Sequence, residues 1–428
     1  MIDGYGEACH RERGCVMTFN AERVAEQFSI LNRRVGDKPL HYMDNAATSQ
    51  MPDSVIEAVA SHDRTRRANV KRGVHLLSEE ADEAYENARA EVALYLGVSC
   101  SEEVIFTGGT TAGINLLAHS LGERMKPGDE VLISQLEHHS NIIPWQMLKQ
   151  RRGVTVRFLP VTLEGRIDLS DLDRYITGNT KLVALTHGSN VTGSITDVAT
   201  IEALAHERGA AVMLDGAQMV PHGPLNLPVL GADYYVFSGH KVYGPSGIGI
   251  LWGRKELLEE MSPLFGGGEM IDYVEMEEST YAPPPHRFEA GTPPITQAVG
   301  LAAALRWFGD LDIEGLHRHL DRLTNQLMEG LEDIERGQGR IRVLGPSRGE
   351  TRLPLVSFSI DNIHPHDVCQ VMNDFHGVAL RGGHHCAQPL HDFFDLDGTS
   401  RASLAAYNRQ NDIDAFLDGM EHCIRMFG

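Results

Sequence analysis

The sequence predicts an α/β protein with a mostly parallel central sheet in a large domain, followed by a smaller α+β domain. Two observations carry the first part. Short, near-continuous apolar runs recur between residues 104 and 237, and helical patterns alternate with them. A third carries the second part: beyond Gly291-Thr292-Pro293-Pro294 the alternation gives way to long helical stretches and a few strands. At 428 residues the chain exceeds one ordinary core, as two domains require.

Taken in order, residues 1–18 are Gly-rich and polar without a usable period, and a flexible extension is expected there. Residues 19–38 are expected to supply a helix packing with the small domain; from Asn20 to Leu31, Val24, Phe28 and Leu31 share one face. The large domain is placed at 39–297. It opens on a strand from Leu40 that runs into Asp44 and small residues. Ser78 is a candidate cap for a helix with Glu79 and Glu80 in its first turn. Ala81, Ala84, Tyr85, Ala88, Val92 and Tyr95 line that helix's buried face, and Gly97 stops it. Strands are predicted over Val104–Thr107, Val131–Ser134, Val154–Leu159, Leu182–Thr186, Ala211–Leu214 and Tyr234–Phe237. A helix follows Thr111, and another spans Val198–Arg208. The small domain, 298–428, is expected to hold a helical region to about Leu331, strands at Ile341–Leu344 and Leu355–Ser359, a helix near Val368–Phe375 and a last helix from Asp412.

Composition removes several function classes. Apolar and charged fractions of 42% and 23% belong to a globular chain and exclude wholesale disorder. A net charge of −21 argues against nucleic acid or an anionic membrane as partner, since both are held by clustered Lys and Arg. No apolar run reaches the length of a membrane span, and the N-terminus has no basic-then-apolar signal pattern, so a cytoplasmic location is expected. The six cysteines have no framework spacing and are expected to be free thiols in a reducing compartment.

Open parallel sheets bind ligands beyond the carboxyl ends of their strands. Two predicted strands end there in chemistry: Ala211–Leu214 runs into Asp215-Gly216-Ala217-Gln218, and Tyr234–Phe237 into Ser238-Gly239-His240-Lys241. A carboxylate and an amine over one crevice are what pyridoxal phosphate needs, an acid for its ring nitrogen and a lysine to bind its aldehyde. The Gly108-Gly109-Thr110-Thr111 turn offers backbone N–H groups at a helix start for a phosphate. It lacks the lysine of a P-loop and the spacing of a dinucleotide fingerprint, which disfavours ATP and NAD. Far along the chain, Gly382-Gly383-His384-His385-Cys386-Ala387-Gln388-Pro389 sets a thiol in a turn-rich segment. Its glycines are expected to make it mobile and its imidazoles to favour a thiolate. No metal site is expected: adjacent His-His-Cys side chains diverge, and no second ligand pair exists.

Six segments occur in this order: Thr107-Gly108-Gly109-Thr110-Thr111, Glu137-His138-His139, Asp215-Gly216-Ala217-Gln218, Ser238-Gly239-His240-Lys241, Arg287-Phe288-Glu289-Ala290-Gly291-Thr292-Pro293 and Arg381-Gly382-Gly383-His384-His385-Cys386-Ala387. By them the chain resembles the class V aminotransferase superfamily, of the pyridoxal-phosphate-dependent transferase fold type I. Within it the chain is similar to the group II (SufS-type) cysteine desulfurases, from about Ala21 to the C-terminus. The resemblance implies that Lys241 binds the cofactor covalently and serves as the base, that Asp215 faces the ring nitrogen and Gln218 the phenolic oxygen, and that His138 stacks on the ring. It assigns Thr110, Thr111, Ser238 and His240 to the phosphate, with Thr292 reaching in from a second subunit of a homodimer. Asn190 and Arg401 match the positions that bind the substrate carboxylate. Cys386 would take sulfur from L-cysteine as a persulfide, releasing L-alanine, and pass it to an acceptor protein of SufE or SufU type for iron–sulfur cluster assembly. A selenocysteine lyase acting on L-selenocysteine shares every motif, and another class V aminotransferase or a non-enzymatic scaffold are the further alternatives. The chain departs from many SufS-type enzymes at Lys71, where they have His, and at Ala112, where they have Glu. Both positions lie in regions linked to dimer and loop behaviour rather than to the core chemistry.

Overall fold

The computed structural model describes residues 18–71, 73–338 and 341–427. The expectation of a flexible extension therefore falls almost entirely outside the described residues.

A seven-stranded sheet organises the larger layer. Its strands are β1 (Val104–Thr107), β2 (Glu130–Ser134), β3 (Thr155–Leu159), β4 (Thr180–Thr186), β5 (Ala211–Asp215), β6 (Tyr234–Ser238) and β7 (Gly249–Gly253), in the order β1-β7-β6-β5-β4-β2-β3. The run from β6 to β3 is parallel, and β7 is antiparallel to both its neighbours. Alternate side chains enter separate cores. Ile133, Ala184, Met213 and Val236 pack with Trp145 and Leu148 on one face; Val183, Val212, Leu214 and Phe237 join the main core on the other. Strands covered on both faces must be apolar at nearly every position, which is the signal the sequence carried.

A second, antiparallel sheet contains β8 (Ile341–Val343), β9 (Leu355–Ile360), β10 (Arg381–Gly383) and β11 (Thr399–Ser403), in the order β8-β9-β11-β10. The early strand joins this part and not the large sheet, since His41–Tyr42 pairs in parallel with Val378–Ala379. The helical region expected from Ala298 to Leu331 is two helices, Ile295–Gly309 and Ile313–Gln338. The first packs on helices Asp53–Thr65 and Leu76–Tyr95 of the larger layer, so a boundary at 297 cuts through a helix that belongs there by packing. Asn20–Leu31 resolves into a short helix, Ala21–Ala25, and a 3-10 turn at Ser29–Asn32, with Val24 and Phe28 buried. His75, not Ser78, caps Leu76–Tyr95: its ring accepts the Ser78 N–H at 3.2 Å, and Ser78 Oγ donates to the Asn69 carbonyl.

The Arg287–Pro293 segment is tied to the large sheet by one buried acid. Glu289 accepts from Arg89 Nη1 at 2.7 Å and Nη2 at 2.9 Å, from Tyr85 Oη at 3.0 Å and from the Phe106 N–H at 2.8 Å. Glu289→Ala would strand a buried guanidinium and a strand N–H together. A loss of about 3–5 kcal/mol of unfolding free energy is expected, measured by urea denaturation. Lys71 meets this region through a 2.6 Å hydrogen bond between Nζ and His286 Nδ1, and burial lowers its pKa.

Candidate active site

The carboxyl ends of β5 and β6 open into a cavity of about 190 Å³ whose far wall comes from the second sheet. Asp215, Gln218 and Lys241 line it from the large sheet, and Arg381, His385 and Arg401 from the small one. Asn190, His138, Thr110, Thr111, Ser238 and His240 complete the enclosure.

Lys241 has no ion pair or hydrogen bond within the described residues. Burial lowers its pKa to about 8, partly opposed by Asp215. Asp215 is 4% exposed, and burial raises its pKa; the Ala217 N–H donates to Oδ1 at 3.0 Å. Gln218 is fixed by donating from Nε2 to the Ala46 carbonyl at 2.8 Å.

At the other end, helix Thr110–Ser120 starts behind Gly109, whose φ of +132° suits a residue without Cβ; a Cβ there would also approach Ser238 Oγ to 3.3 Å. Ser238 Oγ accepts the Thr110 N–H at 2.9 Å and shares a 2.8 Å bond with the Thr110 hydroxyl. His240 Nδ1 meets Thr48 Oγ1 at 3.2 Å, and burial lowers its pKa to about 4, so it is neutral.

His138 rests on a buried network. Glu137 bonds Ser134 Oγ and accepts from Asn141 Nδ2 at 2.7 Å. Asn141 in turn donates to the Ala184 carbonyl at 3.0 Å and accepts from Trp145 Nε1 at 2.8 Å. Burial raises the Glu137 carboxyl to about 8 and lowers His138 to about 3. A neutral ring on a rigid base suits stacking rather than charge transfer.

Arg401, 2% exposed, donates to the Asn190 carbonyl at 2.8 Å and to Asp44 Oδ1 at 3.3 Å. Its Nε has no partner, and burial lowers its pKa to about 10. An unpaired buried guanidinium N–H beside Arg381 is a ready receptor for an anion.

Cys386 follows β10 and does not line the cavity, but it is close enough that a negative charge on its sulfur would stabilise the charged forms of Lys241 and Arg401. The loop around it accepts hydrogen bonds from Asn190 Nδ2 at the His385 carbonyl and from the His139 N–H at the Cys386 carbonyl. His385 and Cys386 sit at φ +50° and +56°, a left-handed pair that only outside contacts can maintain. The adjacent imidazole of His385 does not favour a thiolate by charge. His391 Nδ1 lies 3.0 Å from the Ala387 carbonyl and must donate to it, which leaves Nε2 to accept from Thr399 Oγ1 at 3.1 Å. Thr399 Oγ1 then accepts from His385 Nε2 at 2.9 Å, so His385 Nδ1 is a bare lone pair, buried and without a partner. Burial, reinforced by Arg401, lowers the His385 pKa to about 2.

Of the expected site residues, Thr292 and Cys386 do not line the cavity, and Thr292 is exposed at the surface. Arg381, His385, Asp44 and Glu137 were given no site role, although Glu137, Arg381 and His385 lie within the segments that carry the family resemblance and Asp44 ends an expected strand. Among the described residues no cluster of His, Cys, Asp or Glu could hold a metal.

The donor set fits pyridoxal phosphate. A lysine without a partner stands with a buried acid on the neighbouring strand, beside a Ser/Thr-lined helix start and a neutral histidine. This architecture and site define a pyridoxal-phosphate enzyme of fold type I.

The aminotransferase class-V family model matches residues 41–416, and the chain belongs to that family. Its relatives narrow the class. It is 44% identical to a probable cysteine desulfurase of Streptomyces coelicolor over 96% of this chain and 98% of that protein. The cysteine desulfurase CsdA of Escherichia coli superposes with a TM-score of 0.88 at 35% identity, covering 96% of this chain and 100% of that one. The apo cysteine desulfurase of Thermococcus onnurineus NA1 does so at 0.89 and 37%, covering 95% and 98%.

The state of Lys241 is open to measurement. Only the neutral amine attacks an aldehyde, and this amine is charged below about pH 8 and neutral above it. Capture of pyridoxal phosphate by the cofactor-free protein is expected to accelerate about tenfold per pH unit up to that point and then level off. The rise of visible absorbance after mixing reports it, and a rate flat through neutral pH contradicts it.

Proposed function

We propose that the protein is a pyridoxal-phosphate-dependent cysteine desulfurase. It converts L-cysteine to L-alanine and holds the sulfur as a persulfide on Cys386, for an acceptor in iron–sulfur cluster assembly. The observation that carries this reading is the segment from β10 onward, which joins two cavity-wall residues, Arg381 and His385, to a thiol at the position after His385. An aminotransferase has no use for that thiol, and the relatives at this level of identity are described as cysteine desulfurases.

When bound, the cofactor supplies a sink for electrons freed at the substrate α-carbon. Asp215, Gln218 and His138 would hold its ring, Asp215 favouring a protonated ring nitrogen, and Thr110, Thr111, Ser238 and His240 would hold its phosphate. Arg401 and Asn190 orient the substrate carboxylate, and Lys241, neutral once released, removes the α-proton. Cys386 then attacks the substrate sulfur. An S–S bond forms and the C–S bond breaks; its electron pair stays with carbon, which takes a proton and leaves as alanine. The first turnover of holoenzyme with L-cysteine should yield alanine and protein persulfide in equal amounts. No alanine, or turnover confined to L-selenocysteine, overturns the assignment.

A homodimer is part of this proposal. It is supported by the exposure of Thr292 away from its own cavity, and by the exposed Phe265, Tyr273 and Met276 in the preceding segment. The acceptor is proposed to be of SufE or SufU type. No described helix is long and apolar enough to cross a membrane.

A further inference from the structure

We infer that His139 is the positioning residue of the cysteine loop, clamping it from the large sheet across to the small one; the inference rests on the reading of Cys386 as the sulfur acceptor. His139 does not line the cavity. Its backbone N–H donates to the Cys386 carbonyl at 2.7 Å, and its Nε2 accepts the Gln388 N–H at 3.1 Å. One residue thus grips the loop on both sides of the thiol. The grip answers a local need: His385 and Cys386 occupy left-handed backbone conformations with φ of +50° and +56°, which side-chain-bearing residues leave when nothing holds them. Asn190 Nδ2 holds the His385 carbonyl at 2.8 Å, but among the described residues no cavity residue hydrogen-bonds the stretch from Cys386 to Gln388. His139 does, and its own footing is firm, since Glu137, Asn141 and Trp145 anchor the turn that bears it.

The imidazole acts here as an acceptor, through a lone pair that the Gln388 N–H requires. Glutamine carries an amide oxygen near the place of Nε2 and can replace it; alanine cannot. Loss of the bond frees the loop to leave the geometry in which Cys386 meets the substrate sulfur, while the carboxylate site at Arg401 is untouched.

The test compares holoenzyme with His139→Ala and His139→Gln. Iodoacetamide labelling is read by mass spectrometry at the peptide carrying Cys386, beside kcat and KM for L-cysteine. His139→Ala is expected to label about fivefold faster or more and to lose about tenfold or more in kcat with KM nearly unchanged, and His139→Gln to restore both. Labelling of His139→Ala at the unmodified rate, or a loss that His139→Gln does not rescue, overturns the clamp. Labelling does not depend on turnover. Altered labelling in a protein that makes no alanine would therefore keep the clamp and reject the desulfurase reading. Should His139→Ala not fold, hydrogen exchange of the unmodified holoenzyme decides: a protected Gln388 amide supports the clamp, and exchange at the open-chain rate overturns it.

Discussion

Cys386→Ala is expected to lose at least about a thousandfold of its turnover on L-cysteine while keeping the bound cofactor's absorbance. The separation follows from the layout. Lys241, Asp215 and the bonded Thr110–Ser238 pair proposed to hold the phosphate stand on the large sheet, and Cys386 is outside the cavity wall. Removing the thiol deletes the nucleophile without disturbing what holds the cofactor. Alanine is quantified from the reaction mixture and the spectrum recorded on the same sample. A variant with full turnover would move the chemistry to an ordinary class V aminotransferase. On L-selenocysteine the same variant should lose less, because selenium leaves carbon more readily than sulfur does.

Lys241→Ala is the second large effect. It removes the covalent link and the α-proton base together. General acid–base catalysis alone is worth about 10²–10⁴-fold, so turnover should fall by about 10⁴-fold or more. Borohydride treatment of holoenzyme should fix cofactor mass on the Lys241 peptide, and the variant should show none. Label on a different lysine would reject Lys241. Asp215 stays in place in such a variant, so residual cofactor binding without covalent attachment is expected.

These two residues illustrate what the sequence makes legible. Lys241 and Asp215 sit at the ends of strands whose apolar runs announce them, because both faces of those strands are covered. Strand β11 announces nothing. Thr399-Ser400-Arg401-Ala402-Ser403 is fully buried yet polar, and it was missed as a strand although Arg401 was singled out within it. Most of its polar groups find partners outside the strand: Thr399 bonds His385 and His391, and Arg401 bonds Asn190 and Asp44 through its Nη atoms. Strand β7 was also missed, its Gly-Ile-Leu-Trp-Gly run being short and bounded by glycine. The histidines beside Cys386 give the same lesson for His385. Composition placed histidines there; only packing against Thr399 and Arg401 makes His385 neutral. Glu137 reads in the sequence as an ordinary loop acid, and its burial among Ser134, Asn141 and Trp145 comes from the tertiary fold.

The cavity's two walls belong to different sheets, one bearing the lysine and the other the carboxylate receptor. A molecule gripped by both is therefore an adhesive between layers as well as a reactant. Its binding free energy is added to the cohesion of the whole chain, about 2.7 kcal/mol at a hundredfold excess over Kd.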